Sequence, residues 1–258
     1  MLPSPEATEA LGRTGFDFVG VDCQHGAHGF RGAIEAVQLL DALGQEVLVR
    51  VSVLELELIP RYLDFGAAGV IVAMVNDVAA VEEAVALARY QPEGNRSYGG
   101  QRYGLHPEPA DVRDVRPAVY VMLETAEALA EVDAIANVPG VSGLFVGPVD
   151  LALATTDSAG VVAQLSGAYA RSPGQSDDGL EAPTAAAMKV WREGVERIRD
   201  AAHAAGVEAG TFATSGADAA SWARAGFDRV VIASDIALLR STLARELGAA
   251  REAEQVIA

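Results

Sequence analysis

Short apolar runs rich in β-branched residues alternate along the chain with longer stretches rich in Ala, Leu and Glu. The short runs are typical of buried parallel strands, and the longer stretches have helical periodicity. Seven strands are predicted, at residues 16–21, 46–51, 69–74, 118–123, 143–146, 208–212 and 229–233. Helices are predicted at residues 30–43, 58–65, 78–90, 126–136, 185–205, 216–225 and 236–258. This alternation indicates repeated βα units.

The repeated units predict an α/β fold of the TIM (β/α)8-barrel type. No G-x-G-x-x-G motif follows the first strand and no P-loop is present, which disfavours a nucleotide-binding open sheet. Seven strands are one fewer than a closed barrel needs, and residues 2–5 are loop-like and lead directly into a helix. We therefore expect the first strand to be missing at the N-terminus, leaving a sheet edge exposed. The length suits a single domain over residues 1–258.

Two segments interrupt the alternation. Residues 91–115 are rich in Gly, Pro and polar side chains, which is typical of a lid or a subunit-contact loop. Residues 155–183 have low hydrophobicity and form an insert, for which a tolerated insertion without function is the simplest interpretation.

The charge and the compartment signals narrow the possible partners. The formal net charge of −17 argues against nucleic acid and against anionic membranes as the main partner. No apolar run reaches the roughly 18 residues of a membrane span, and residues 1–11 lack the features of a secretory leader. Cys23, the only cysteine, has no partner for an internal disulfide. We expect a cytoplasmic protein.

One lysine, Lys189, stands among 19 basic residues. A Schiff-base mechanism needs a lysine in the active site. Lys189 falls in the helical pattern 185–205, which places it on an outer helix away from the strand ends. Metal-assisted enolisation is then the remaining way to make a carbon nucleophile from a carbonyl compound.

Charged residues occur where the apolar strands stop. Asp22, Arg50, Glu124 and Asp150 follow or end four different strands, and His25 lies three residues beyond Asp22. The carboxyl ends of parallel barrel strands share one face, so these side chains should converge on one pocket. Each of them taken alone is equally well explained as a helix cap or a surface charge.

The residue types suggest how such a pocket would work. Glu124 and Asp150 provide oxygen ligands suited to Mg²⁺ or Mn²⁺, with Co²⁺ a further candidate. The metal would chelate a 2-oxo acid, and Arg50 would neutralise the developing oxyanion. Backbone N–H groups in the stretch Gly147, Pro148, Val149 and Asp150 would hold the substrate carboxylate.

His25 is a candidate general base, with Asp22 orienting its imidazole. A loop histidine with a structural hydrogen bond is the alternative interpretation. Cys23 lies between Asp22 and the His25 loop, but it is expected to pack into the barrel wall and not to act as a nucleophile.

The sequence resembles the HpcH/HpaI aldolases, which are metal-dependent pyruvate aldolases, over nearly its whole length. The resemblance rests on GFDFVGVDCQHG, LVR at Arg50, LDFGAAGVIVAMV, ARYQPEGNRSYGG, LETAEAL at Glu124 and GLFVGPVDLA at Asp150. It implies a (β/α)8 barrel in which Glu124 and Asp150 bind the metal, His25 and Asp22 form the acid/base pair, and Arg50 stabilises pyruvate enolate.

The resemblance also implies an assembly. Asp64 matches an aspartate that reaches a neighbouring subunit's site, and the last helix, residues 236–258, would be exchanged between subunits of a homo-oligomer, commonly a hexamer. Gln24, Met122 and Ala73 depart from the family pattern.

The implied reaction is reversible cleavage of a 4-hydroxy-2-oxo acid to pyruvate or hydroxypyruvate and an aldehyde. A 2-oxo acid decarboxylase, an acyl-CoA lyase and a non-catalytic 2-oxo acid binding protein are the alternatives.

Overall fold

A computed structural model of the chain describes residues 1–99, 105, 111–157, 160–161, 165 and 180–257. The strands in these ranges are β1 (Phe18–Asp22), β2 (Glu46–Ser52), β3 (Gly69–Ala73), β4 (Ala118–Leu123), β5 (Gly143–Val146), β6 (Glu208–Ala213) and β7 (Arg229–Ile232). The α-helices are α1 (Pro5–Gly12), α2 (Phe30–Ala42), α3 (Ile59–Asp64), α4 (Val78–Ala88), α5 (Ala126–Ala130), α6 (Val132–Ala136), α7 (Pro148–Thr155), α8 (Ala182–Ala204), α9 (Gly216–Arg224) and α10 (Asp235–Ile257). None of the helices in these ranges is long and apolar enough to span a membrane.

All seven strands are parallel and pair in chain order from β1 to β7. Helices follow the strands, so the sheet curves into a nearly closed TIM-like barrel with β1 and β7 as its two edges. The predicted fold class is confirmed, and every predicted strand is present within two residues of its expected bounds. Residues 16 and 17 lie outside β1 because the ladder to β2 begins at Phe18.

The strands bury side chains on both faces. Valines that point outwards, such as Val21, Val49 and Val121, pack against the helices, and the barrel interior holds a second cluster that includes Tyr120 and Phe145. Those two rings meet edge to face at 5.4 Å. Gly143 leaves room for them, since a Cβ there would lie 2.9 Å from the Tyr120 ring. The aromatic rings therefore fill the interior, and glycine at position 143 leaves the space that they need.

Arg229 ties the edge strand β7 to the rest of the barrel at the amino ends of the strands. It donates hydrogen bonds to Glu208 on β6, at 2.7 Å, and to Glu46 on β2, at 2.6 Å. Its guanidinium also lies 5.3 Å from the ring centres of Phe18 and Tyr120. One side chain thus contacts four other strands and compensates for the missing ladder between β7 and β1.

Three helix predictions differ from the structure. The predicted helix 126–136 is split into α5 and α6 because Glu131 adopts a non-helical backbone conformation. The helix predicted at residues 185–205 begins at Ala182, inside the predicted insert 155–183. The helix predicted at residues 58–65 is preceded by 3-10 turns over Val53–Leu58. Val161 and Leu165 of the insert are buried, and residues 158–159, 162–164 and 166–179 lie outside the described residues.

The first part of the predicted loop 91–115 packs against the ends of α3 and α4. Residues 91–99 follow α4, and the Arg96 backbone N–H donates to the Arg89 carbonyl oxygen at 2.9 Å. The Arg96 side chain pairs with Asp64 at the end of α3, at 2.7 Å. Helices in a βα barrel end where the strands begin, so these contacts anchor residues 91–99 near the amino ends of the strands. Residues 100–104 and 106–110 lie outside the described residues, and the lid and subunit-contact interpretations of residues 91–115 both stay predictions.

Candidate active site

The structure brings four of the sequence-predicted residues together at the carboxyl ends of the strands. Asp22 ends β1 and is the ladder partner of Arg50 on β2. Glu124 directly follows β4, and Asp150 lies in the first turn of α7 after β5. Parallel pairing aligns these ends on one face, which is why residues distant in sequence share a pocket.

Asp22 and Arg50 form a two-point ion pair, with Nε to Oδ1 at 2.9 Å and Nη2 to Oδ2 at 2.7 Å. Burial opposes ionisation of Asp22, but the hydrogen bonds and charge of Arg50 outweigh it and hold the pKa of Asp22 below its usual value. The guanidinium is therefore fixed at the pocket wall with a known orientation.

Glu124 is almost fully buried, with 2% of its surface exposed. Its Oε1 accepts a hydrogen bond of 2.7 Å from the Met74 backbone N–H, and its carboxyl group lies within hydrogen-bonding reach of Asp150. Burial raises the pKa of Glu124 to about 7, the Asp150 charge adds to the rise, and the Met74 N–H and Arg50 oppose it. Two adjacent carboxylates without a bound cation are costly, so this arrangement favours a positive ligand.

The donor set fits a hard divalent cation. Glu124 and Asp150 offer only oxygen ligands, as Mg²⁺ and Mn²⁺ prefer. Within the described ranges no third His, Cys, Asp or Glu completes a metal-ligand group with them. A cation held by these two carboxylates would keep coordination positions for substrate and water.

Gly147 makes room for the Glu124 carboxylate. A Cβ built on Gly147 would lie 2.3 Å from Oε2 of Glu124 and 3.0 Å from its Cβ. Such a contact is far inside van der Waals distance, so a side chain at position 147 would have to displace the glutamate. The glycine that follows β5 is therefore a structural part of the candidate metal site.

The backbone N–H groups of residues 147–150 were predicted to bind the substrate carboxylate, and the structure limits which of them can do so. Pro148 has no N–H to donate. Its carbonyl oxygen instead accepts a hydrogen bond of 2.9 Å from Trp191 Nε1, which anchors the start of α7. The N–H groups of Val149 and Asp150, in the first turn of α7, remain candidates for binding a substrate carboxylate.

His25 is exposed in the loop after β1. The predicted contact between its imidazole and Asp22 is not formed in the part of the chain that the structure describes. Asp22 Oδ1 instead accepts the backbone N–H groups of Gln24, at 3.0 Å, and His25, at 3.2 Å. The physical reason is competition: Arg50 stands opposite Asp22 in the ladder and takes the remaining acceptor capacity.

Cys23 and Lys189 occupy the positions that were expected. Cys23 packs against the outer core, and burial raises the pKa of its thiol, which makes it a poor nucleophile. Lys189 lies on the outer helix α8 with 74% of its side chain exposed, 3.8 Å from Glu193. Neither residue reaches the pocket.

Asp64 lies at the end of α3, away from the carboxylates of its own chain. It pairs with the buried Arg96, and Gly99 packs so closely that a Cβ there would lie 1.9 Å from Oδ2 of Asp64. Its contact with a neighbouring subunit stays a prediction.

Sequence reasoning missed two contributors to the pocket. Met74, whose φ is +61°, holds Glu124 through its backbone N–H, and a main-chain donor leaves no signal in residue type. Phe212 lies with its ring centre 5.7 Å from the Arg50 guanidinium carbon. The position of Phe212 at the end of predicted strand 208–212 indicates that it lies at the same barrel face. Its apolar side chain, however, does not by itself indicate a role in catalysis or metal binding.

Comparison with known proteins identifies relatives over nearly the whole chain. The profile of the HpcH/HpaI aldolase/citrate lyase family matches residues 2–242. A hydroxypyruvate/pyruvate aldolase from Rhizorhabdus wittichii is 32% identical over 252 residues, covering 97% of this chain and 91% of that protein. A 4-hydroxy-2-oxovalerate aldolase from Rhodococcus jostii is 34% identical over 150 residues, covering 57% and 58% respectively. The crystal structure of an HpcH/HpaI aldolase/citrate lyase family protein from Burkholderia cenocepacia matches with a TM-score of 0.75 and 28% identity, covering 97% of this chain and 91% of that one.

Replacing Gly147 by alanine should weaken metal binding. The added methyl group displaces the Glu124 carboxylate, and we expect the affinity for Mn²⁺ to fall by a factor of about ten or more, as for other changes that disturb a ligand's support. Isothermal titration with Mn²⁺ measures the change. Gly216→Ala is the matched control, because no atom lies within 4 Å of a Cβ there. Equal affinities for both variants would contradict the assignment.

The pKa of Glu124 predicts a pH-dependent stability of the metal-free protein. A carboxyl group whose pKa is higher in the folded than in the unfolded chain contributes stability at low pH and loses it as the pH rises towards 7. Relative to Glu124→Gln, the wild type should therefore lose up to about 3 kcal/mol of unfolding free energy between pH 5 and pH 8. Urea unfolding in EDTA measures the difference, and the exposed Glu127→Gln serves as control. A difference that stays constant over this pH range would show that Glu124 titrates normally.

Proposed function

The chain belongs to the HpcH/HpaI aldolase/citrate lyase family and is a carbon–carbon lyase, and we propose that it reversibly cleaves 4-hydroxy-2-oxo acids to pyruvate, or hydroxypyruvate, and an aldehyde. The observation that carries this proposal is the carboxylate pair of buried Glu124 and exposed Asp150 beside the fixed guanidinium of Arg50. The curated relatives named above act as aldolases on the same classes of compound.

Glu124 and Asp150 would hold a divalent cation such as Mg²⁺, Mn²⁺ or Co²⁺. When bound, the cation supplies Lewis acidity to the oxygens of a 2-oxo acid. The Met74 N–H holds the Glu124 carboxylate in place by a hydrogen bond, and the missing side chain of Gly147 leaves space for it. Asp150 is exposed at the start of α7, where it faces the incoming substrate.

Arg50 would hold the oxygen on which negative charge develops as the carbon–carbon bond breaks. Its position is fixed by Asp22, so no reorganisation is needed when the charge forms. The N–H groups of Val149 and Asp150 would bind the substrate carboxylate. Together these donors overcome the unfavourable net charge of the protein.

His25 would move the proton. In the cleavage direction it takes the proton of the C4 hydroxyl group, the C3–C4 bond breaks, the aldehyde leaves, and a proton is returned to C3 to give pyruvate. Asp22 contributes by hydrogen-bonding the backbone of the loop and so positioning His25. His25 is exposed in the loop after β1, and a base that must reach the substrate needs such access.

Turnover should depend on the metal and on Glu124. With added Mg²⁺ or Mn²⁺, we expect pyruvate release from a 4-hydroxy-2-oxo acid, measured with lactate dehydrogenase. EDTA or Glu124→Ala should reduce it by a factor of about a thousand or more, since both remove the charge stabilisation. Glu127→Ala is the control. Full activity in EDTA, or covalent trapping of pyruvate on Lys189 by borohydride, would overturn the proposed mechanism.

We further propose that the active form is a cytoplasmic homo-oligomer, a hexamer by family resemblance, in which α10 is exchanged between subunits and Asp64 approaches a neighbouring pocket. The support is a row of exposed apolar side chains along α10. They comprise Ile236, Leu239, Leu243 and Leu247, each with 45% or more of its surface exposed. An apolar face of this extent is typical of an interface.

Placing charges on that face should dissociate the assembly. Leu239→Glu combined with Leu243→Glu buries two unpaired carboxylates in the interface, so we expect the mass measured by light scattering to fall towards that of one chain. Leu153→Glu, exposed on α7, is the control. An unchanged mass would exclude α10 from the interface.

A further inference from the structure

The chain makes an unusual turn at Met74, directly after β3. The φ of Met74 is +61°, in the left-handed region that a methionine seldom adopts. A backbone conformation of this kind persists only where the surrounding contacts hold it. Before the turn, Ala73 is held in the ladder opposite Ser52 of β2. After the turn, the side chain of Val75 is fully buried in the outer core.

The turn directs the Met74 N–H to the candidate metal ligand. The ladder between β3 and β4 ends with the pair Val72 and Val121, and a straight β3 would next carry Met74 alongside Leu123. Because the backbone turns there, the Met74 N–H instead donates to Oε1 of Glu124, at 2.7 Å. The left-handed backbone and the hydrogen bond to the ligand are therefore parts of one arrangement.

A second hydrogen bond joins the same two loops, and we call it the clasp. The hydroxyl group of Thr125 donates to Oδ1 of Asn76 at 2.6 Å. Its direction follows from a third contact, since the same hydroxyl oxygen accepts the Ala128 N–H at 3.1 Å as the N-cap of α5. Thr125 is the neighbour of Glu124, and Asn76 lies two residues after Met74, so the clasp lies beside the bond to the ligand.

The carboxylate of Glu124 needs such support in the metal-free protein. It is buried and lies within hydrogen-bonding reach of Asp150, so repulsion between the two carboxylates favours its displacement. The hydrogen bond from Met74 opposes that displacement. It can do so only while Met74 keeps its left-handed turn.

Resting on the metal-dependent function proposed above, we propose that Asn76 is a positioning residue for the metal ligand Glu124. Through the clasp it ties the loop after β3 to the loop after β4 and so holds the turn at Met74. It acts on the carboxylate through the Met74 N–H and not by direct contact. A carboxylate held in place beforehand loses less freedom when a cation binds, which raises the affinity.

The first test removes the acceptor of the clasp. Asn76→Ala leaves Thr125 in place as the cap of α5. We expect the affinity for Mn²⁺, measured from the EPR signal of the free ion, to fall about fivefold, the factor that corresponds to one net hydrogen bond. Asn137→Ala is the matched control, because Asn137 is also exposed and hydrogen-bonded, donating to the Asp133 carbonyl oxygen at 2.8 Å at the end of α6. Melting curves in EDTA show whether each variant folds.

The second test is a double-mutant cycle across the clasp. Thr125→Ser keeps the hydroxyl group and should keep most of the Mn²⁺ affinity, whereas Thr125→Val should lose it. Added to Thr125→Val, the change Asn76→Ala should cause no further loss, because the clasp is already broken. Independent, multiplying losses would show that Asn76 does not act through Thr125 and would overturn the proposal. If Thr125→Val does not fold, Asn76→Ala still tests the clasp, since it leaves the cap intact.

The dependence of turnover on Mn²⁺ separates positioning from a direct role in the reaction. For Asn76→Ala we expect a higher Mn²⁺ concentration for half-maximal activity, with kcat returning to the wild-type value at saturating Mn²⁺. A lowered kcat at saturation with unchanged Mn²⁺ affinity would overturn the positioning role. So would an unchanged affinity alone, or an equal loss in Asn137→Ala.

The clasp and the aldolase function fail in different ways, because Mn²⁺ affinity is measured without substrate. If no 4-hydroxy-2-oxo acid is cleaved while the affinities follow the cycle, the aldolase function is wrong and the clasp stands. If the wild type is an active aldolase while Asn76→Ala binds Mn²⁺ as the wild type does, only the clasp is wrong.

Discussion

The candidate site depends on one electrostatic constraint, the enforced closeness of the Glu124 and Asp150 carboxylates. Burial and mutual repulsion raise the free energy of the doubly ionised pair, as the pKa of about 7 for Glu124 reflects. The rest of the fold supports this arrangement. Gly147 has no side chain and so leaves space for the Glu124 carboxylate. Met74 has a left-handed backbone conformation, in which its N–H donates to Glu124. A cation bound between the two carboxylates would relieve their mutual repulsion.

The positive charge beside these carboxylates is the guanidinium of Arg50, which is held by strands β1 and β2. Asp22 and Arg50 are ladder partners, so strand register alone places the guanidinium near Glu124 without a loop. At the opposite end of the barrel, Arg229 holds β7 to β2 and β6.

Much of the fold was predictable because βα units bury their strands and expose their helices. The strand bounds follow from local apolar runs, and Cys23 and Lys189 were placed correctly because periodicity alone assigns a residue to the wall or to the outside. The convergence of Asp22, Arg50, Glu124 and Asp150 followed from parallel strand direction. Roles that depend on competing contacts were not predictable. The acceptor capacity of Asp22 went to Arg50 and to two backbone N–H groups, and the imidazole of His25 was left without it.

The sequence by itself determined the fold class, the face on which the charged residues meet and the absence of a lysine from the pocket, because each depends on residue type and on local periodicity. Only the tertiary structure decided which partner each carboxylate has and that residues 91–99 are anchored near the amino ends of the strands. These features depend on distances between segments far apart in the chain. Such distances are set by packing and closure of the whole barrel, and no local pattern encodes them.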